Sequence, residues 1–231
     1  MPLLFALLNI NVGIAQDHKG YANLLQKYVA DNGLVNYKGF VNDKPALNEY
    51  LKSLSDNPPK SSWSDNQKLS YWINVYNAFT IKLIVDHYPV NSILSINEGK
   101  PWDLSFIPVG DKMYTLNQVE NDILRKEFDE PRIHFAINCA SISCPKLLNK
   151  PFDAALLPSQ LNSVSKAFVL NTEKNNLSAN MVKISKIFDW FKDDFKTSGG
   201  VIGFLNTYAD VKISTSSKVT YKEYDWNLNK Q

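Results

Sequence analysis

A helix-rich α+β fold, with a small antiparallel sheet and one buried central helix, is what this sequence predicts, and three observations predict it. The 231 residues are 44% apolar and 12% aromatic, enough to bury a substantial core within one domain. Apolar residues recur at helical spacing along most of the chain, with caps and breakers where helices would start and stop. Only a few short β-prone runs interrupt that pattern. No internal repeat, low-complexity tract or charge block marks a linker or a second domain.

Taken in order, Met1 to Ala15 is apolar apart from Asn9, Asn11 and the small Pro2 and Gly13. The run is too short to cross a bilayer. Gly13-Ile14-Ala15 supplies the small residues a signal peptidase reads, and the polar Gln16-Asp17-His18-Lys19 follows. A cationic segment ahead of the apolar run is missing. The expectation is an export signal over 1–15 and a single domain over 16–231, periplasmic or secreted; an apolar N-terminal helix is the alternative. No cysteine stands at the cleavage site to carry a lipid.

Tyr21, Leu24, Leu25, Tyr28 and Val29 predict an amphipathic helix over 17–31, stopped by Asn32-Gly33. A second helix is expected from Pro45 to about Leu54, ended by Asn57-Pro58-Pro59. Ser64 to Gln67 forms a capping box for the longest helix, which runs to Tyr88 before Pro89. Leu69, Trp72, Ile73 and Tyr76 make one face of it apolar. Tyr71, Val75, Ala78 and Ile81 do the same for the other, so it is expected to be buried. Asn74 and Asn77 then lie one turn apart in an apolar setting, where an unpartnered amide costs about 1–3 kcal/mol. Bracing a neighbouring loop is favoured over catalysis for both, because most buried polar side chains bond backbone.

Ile107-Pro108-Val109 and Lys112-Met113-Tyr114 around Gly110-Asp111 predict a hairpin. A second capping box, Thr115 to Gln118, opens a helix carrying Leu116, Val119, Ile123 and Leu124 inward. Glu120 falls on the same stripe. Ionisation is penalised there unless a cation or donors face it, and Arg125 or Arg132 are the candidates. Arg132 to Asn138 is read as a strand, and Cys144-Pro145 as the start of a helix. Phe152 to Leu170 is expected to be helical with a break or restart at Pro158. Met181 to Ile184 is a short strand, Ser185 a cap for a helix carrying Ile187, Phe188, Phe191 and Phe195, and Gly199-Gly200 its end. A last helix holds Val201, Phe204, Leu205 and Tyr208, and a last strand Lys218 to Tyr221.

With 25 basic residues against 23 acidic ones, the chain has no field to attract a phosphate backbone, and nucleic acid is not an expected partner. Three histidines and two cysteines without C-x-x-C or H-x-x-x-H spacing leave no expected metal, and no cofactor is expected either. Nor is a transmembrane segment expected.

The chemistry is concentrated between Arg132 and Pro145, which holds His134, Cys139 and Cys144. Three readings stand open. One cysteine is a nucleophile with His134 as its base and Glu120 or an asparagine orienting the ring, giving thiol-based acyl transfer or hydrolysis. Alternatively the two cysteines form a disulfide closing a short loop, which export favours. In the third, both cysteines are inert small hydrophobes and His134 is a satisfied core residue.

Several segments, namely Tyr71 to Ala78, Tyr114 to Arg125, Pro131 to Pro145, Ser185 to Phe188 and Tyr224 to Asn229, together resemble the domain of unknown function 547 family. That family occurs in exported bacterial proteins and at the C-terminal end of some plant and animal multidomain proteins. The resemblance implies recurrent polar positions at Asn74, Asn77, Glu120, Arg125, Arg132, His134, Asn138 and Cys139. Relatives commonly have His where this chain has Asn121, which leaves His134 as the imidazole of the region. Some plant-type relatives have Ser at the position of Cys144, which makes Cys139 the better nucleophile candidate. The expected catalytic set is therefore Cys139, His134 and Glu120. Asn74, Asn77, Arg125, Arg132, Asn138 and Cys144 are expected to bind substrate or support the site, Arg132 by holding a carboxylate. The partner is a small molecule, a peptide or a cell-envelope component. The alternative is a non-enzymatic extracellular binding or scaffold domain with a Cys139–Cys144 disulfide.

Overall fold

The computed structural model describes residues 17–231, so the expected export signal lies outside the described residues. Helix α1 (Lys19–Tyr28) buries Tyr21, Leu24, Leu25 and Tyr28, the predicted stripe. It stops before Asn32 because Val29 turns extended and bridges to Val35. Gly33 makes that reversal at φ +87°, and a Cβ there would lie 2.4 Å from the Lys146 Cβ. Only glycine fits such a position. A short helix α2 (Tyr37–Asn42), which the periodicity did not single out, is capped by the Asn36 side chain. Helix α3 (Lys44–Asp56) follows with Pro45 in its first turn.

Helix α4 (Asp65–His87) opens on the predicted capping box, with Ser64 and Gln67 bonding each other's backbone. From Leu69 to Val85 every residue except Lys82 is buried. It is the central helix. Helices α2 and α3 pack on it from one side and the helical turn carrying Glu120 from another.

Strands β1 (Ile107–Val109) and β2 (Lys112–Tyr114) form the expected antiparallel hairpin, Ile107 opposite Tyr114. The capping box of Thr115 and Gln118 is present, with backbone-to-side-chain bonds of 2.9 and 3.0 Å. The helix it opens is a π-helix, Gln118–Leu124, in which the Arg125 amide bonds the Glu120 carbonyl five residues back. Such widened turns concentrate at functional sites. Leu116, Val119, Ile123 and Leu124 point inward as expected.

In the second half, α5 (Leu157–Leu170) carries Pro158 in its first turn. Proline therefore starts this helix, and 152–156 is not helical. Strands β3 (Asn176–Leu177), β4 (Met181–Ile184) and β5 (Lys218–Tyr221) form a second sheet in the order β3-β4-β5. Its β4–β5 pair is parallel. Between those two strands lie α6 (Ile187–Trp190), a 3-10 helix (Lys192–Ser198) and α7 (Gly200–Tyr208). The α+β class holds.

Two local expectations fail around the cysteines. Pro131–Phe135 is a 3-10 helix, not a strand: Pro131 sits in its first turn and the Glu130 carboxylate accepts from the Arg132 amide. Cys144-Pro145 starts no helix and lies in a loop that runs on to α5. That loop is pinned instead. The Asn138 side-chain amide donates to the Pro145 carbonyl at 2.7 Å, and Asn74 pairs with both backbone groups of Phe152.

Candidate functional site

Beside the central helix, Glu120, His134, Cys139 and Cys144 open onto one cleft of about 420 Å³, walled by Trp102, Trp190, Tyr224 and Trp226. Each wall residue is fixed by another ring. Trp226 lies 5.7 Å from Trp102, 5.9 Å from Trp190 and 4.5 Å from Tyr224, centroid to centroid. Such a volume falls within the roughly 300–1,000 Å³ of ligand pockets.

Glu120 enters this cleft from the π-helix, its residue 9% exposed. The Tyr76 hydroxyl donates to its Oε2 at 3.0 Å, and the Trp102 indole donates in turn to Tyr76 at 3.0 Å. Burial pushes its pKa up to about 7, against the opposing pull of Tyr76 and of the Arg125 charge. No other hydrogen bond reaches its carboxylate among the described residues.

His134 is also buried, its ring stacked on Phe191 at 4.1 Å and 20°. The next residue, Phe135, anchors the backbone by inserting among Phe168, Phe188 and Phe204. Nε2 meets the Asp194 Oδ2 at 2.7 Å. Although burial alone would raise the Asp194 carboxyl, hydrogen bonds from His134 and Arg125 outweigh it and hold the group well below its ordinary range. Arg125 grips both oxygens, at 2.6 and 2.9 Å. Burial lowers the His134 pKa, with Asp194 opposing only in part, so the ring is neutral at pH 7. An ionised carboxylate only accepts, hence Nε2 carries the proton and Nδ1 the lone pair. Among the described residues Nδ1 has no hydrogen-bond partner.

Cys139 and Cys144 are joined in a disulfide, with Cα atoms 6.1 Å apart. The Tyr224 hydroxyl lies 3.2 Å from the Cys139 sulfur, and the Ser141 hydroxyl 3.3 Å from it. Ala140, between them, is held at φ +61°, a left-handed conformation costly for a residue with a Cβ. Its amide bonds the Asn138 side chain and its carbonyl accepts from Asn229. No hydrogen bond joins His134 to either sulfur.

Residues 60–169 match the model of a family described as a protein of unknown function, DUF547. That stretch, just under half of the chain, carries the family's pattern. No curated protein and no solved structure matches it. Glu120, Arg125, His134 and both cysteines lie within the DUF547 match, whereas Asp194, Trp190, Tyr224 and Trp226 lie beyond it. The cleft is completed by chain outside the matched stretch.

Of the polar positions singled out in the sequence, three brace neighbouring backbone. Asn74 braces Phe152; Asn77 donates to the Ala136 carbonyl at 2.9 Å and accepts from the Asn138 amide at 2.8 Å; Asn138 clamps Pro145. Neither Glu120 nor Asn77 orients the imidazole. Asp194 does, and Arg125 supports it. Arg132 is occupied by Glu130, with Nε to Oε1 at 2.7 Å, and does not line the cleft. Asn121 accepts from Arg125 at 2.6 Å and so helps to hold that cation. Asp194 went unseen in the sequence because Lys192-Asp193-Asp194 has the form of a solvated charge run. Among the described residues no metal-holding group of His, Cys, Asp or Glu occurs, and no helix is long and apolar enough to cross a membrane.

Proposed function

We propose that this protein is an exported domain, periplasmic or secreted, that binds a small molecule, a peptide end or a cell-envelope component in its aromatic cleft, with the disulfide as part of the wall. One observation carries this: the two cysteines that line the cleft are bonded to each other, and no hydrogen bond joins either sulfur to His134. A disulfide is also the form two such cysteines take in an oxidising compartment, which agrees with the apolar run at 1–15.

A second reading keeps one observation in its favour. His134 and Cys139 line the same cleft, and His134 Nδ1 is without a partner. After reduction of the bridge by an external dithiol, the Cys139 thiol would give its proton to His134 as its sulfur bonds an acyl carbon, and the leaving group would depart with that proton.

Iodoacetamide added to the native protein between pH 5 and 9, with intact-mass and peptide-level readout, separates the two. The binding reading expects no label without a reductant and two labels after reduction and unfolding; the double variant Cys139→Ala/Cys144→Ala takes none. Rapid labelling of Cys139 near neutral pH without reductant would replace it with the thiol-enzyme reading.

A further inference from the structure

The cleft combines a buried carboxylate with four electron-rich rings, and its charges do not balance from within. Glu120 receives one hydrogen bond, from a neutral tyrosine. Arg125, the cation whose field reaches it, is held by both oxygens of Asp194 and by Asn121. At the mouth, Lys100 and Asp103 line the cleft and are both exposed, so their charges oppose each other in solvent. A carboxylate taken out of water without its own cation is costly, and a ligand can supply what the protein does not.

The rings specify the kind of cation. Trp190 and Tyr224 sit 4.8 Å apart at 51°, and Trp102 meets Trp226 nearly edge-on at 71°. Trp190 and Trp226 lie 5.9 Å apart and nearly parallel at 23°, and Tyr224 lies 4.5 Å from Trp226, so the rings pack into one continuous aromatic wall of the cleft. Trp190 remains 46% exposed, although burying an indole is strongly favourable. Ring faces attract positive charge, and a wall built from several rings offers an organic cation apolar contact together with cation–π attraction.

We propose that the cleft takes an organic cation of the quaternary or alkylated ammonium class, seated against the wall of Trp102, Trp190, Tyr224 and Trp226 with Glu120 as its counter-ion. This rests on the binding function proposed above and names its ligand class. Cation–π attraction supplies selectivity for charge, while the Tyr76–Trp102 hydrogen-bond chain fixes the carboxylate behind the rings.

Calorimetric titration of the intact protein at pH 8 with choline, and with its neutral isostere 3,3-dimethylbutan-1-ol, tests this directly. Choline should bind saturably and the isostere about tenfold more weakly or worse, tenfold being ~1.4 kcal/mol. Glu120→Gln should weaken choline about tenfold and leave the isostere unchanged. Trp190→Ala, at a position 46% exposed, should also weaken choline and shift its effect on tryptophan emission, with an unchanged unfolding midpoint checking that the fold is kept. Equal binding of both compounds would overturn the charge requirement while leaving a ligand cleft. No binding of either, or a Glu120→Gln protein that is folded and unaltered towards choline, would overturn the ligand class. None of these results bears on the disulfide, which iodoacetamide decides separately.

Discussion

Glu120 ties the stability of the folded chain to pH with a sign that is fixed by its burial. Its folded pKa of about 7 lies above the ordinary carboxyl value of 4.5, so the native state holds a proton that the unfolded chain releases between those values. The stability this carries is complete below pH 4.5 and is lost as pH rises through about 7. The full difference is about 3 kcal/mol. His134 works the other way: its depressed pKa makes the unfolded chain the better proton acceptor below its ordinary value of 6.5, and stability falls as pH drops from there. Urea unfolding at several pH values should show Glu120→Gln more stable than the parent at pH 8 and no longer losing stability between pH 5 and 7. An unchanged pH slope in that variant would mean that the carboxyl is not desolvated. The position of Glu120 on an apolar stripe was legible from spacing alone. Its environment was not, because Tyr76 and Trp102 reach it from separate parts of the chain, as Asp194 reaches His134 across 60 residues.

Elements whose signals are local were read correctly, and those decided by distant partners were not. The Ser64 and Thr115 capping boxes, the turn at Gly110 and the Gly199-Gly200 stop all act within a few residues of themselves. The 3-10 helix at Pro131–Phe135 and the loop after Cys144 depend on what α4 presents to them. Asn77 is the main contact, closing a two-bond clamp across Ala136 and Asn138 from a fully buried position. Asn77→Ala would strand a buried carbonyl and a buried amide, at about 1–3 kcal/mol each, so a loss of about 3 kcal/mol is expected. Lys52→Ala, which cuts the exposed Lys52–Asp56 pair, should cost under about 0.5 kcal/mol. Comparable unfolding midpoints for the two variants would remove Asn77 from its role as the brace of the cysteine loop.

Across the whole molecule, the cysteine loop is where chain segments from both ends converge. Val35 pairs with Lys230 and Ser141 with Leu228, so the last residues run between the first turn and the loop. Ile142 and Ser143 donate to Asn227 and Asp225, and Asn229 donates to Ala140. Tyr37 and Asn138 both bond the Asn229 side chain. With the native loop held this many ways, the disulfide has little left to position. Its contribution then comes from restricting the unfolded chain, and a bridge between residues five apart restricts it little. By chain entropy that is about 2 kcal/mol, which for a domain of this size lowers Tm by about 5 °C. The double variant Cys139→Ala/Cys144→Ala should therefore melt about 5 °C lower with a single transition. Loss of cooperative unfolding would show instead that the bridge holds the cleft together, and that the C-terminal segment and the asparagine clamp cannot do so without it.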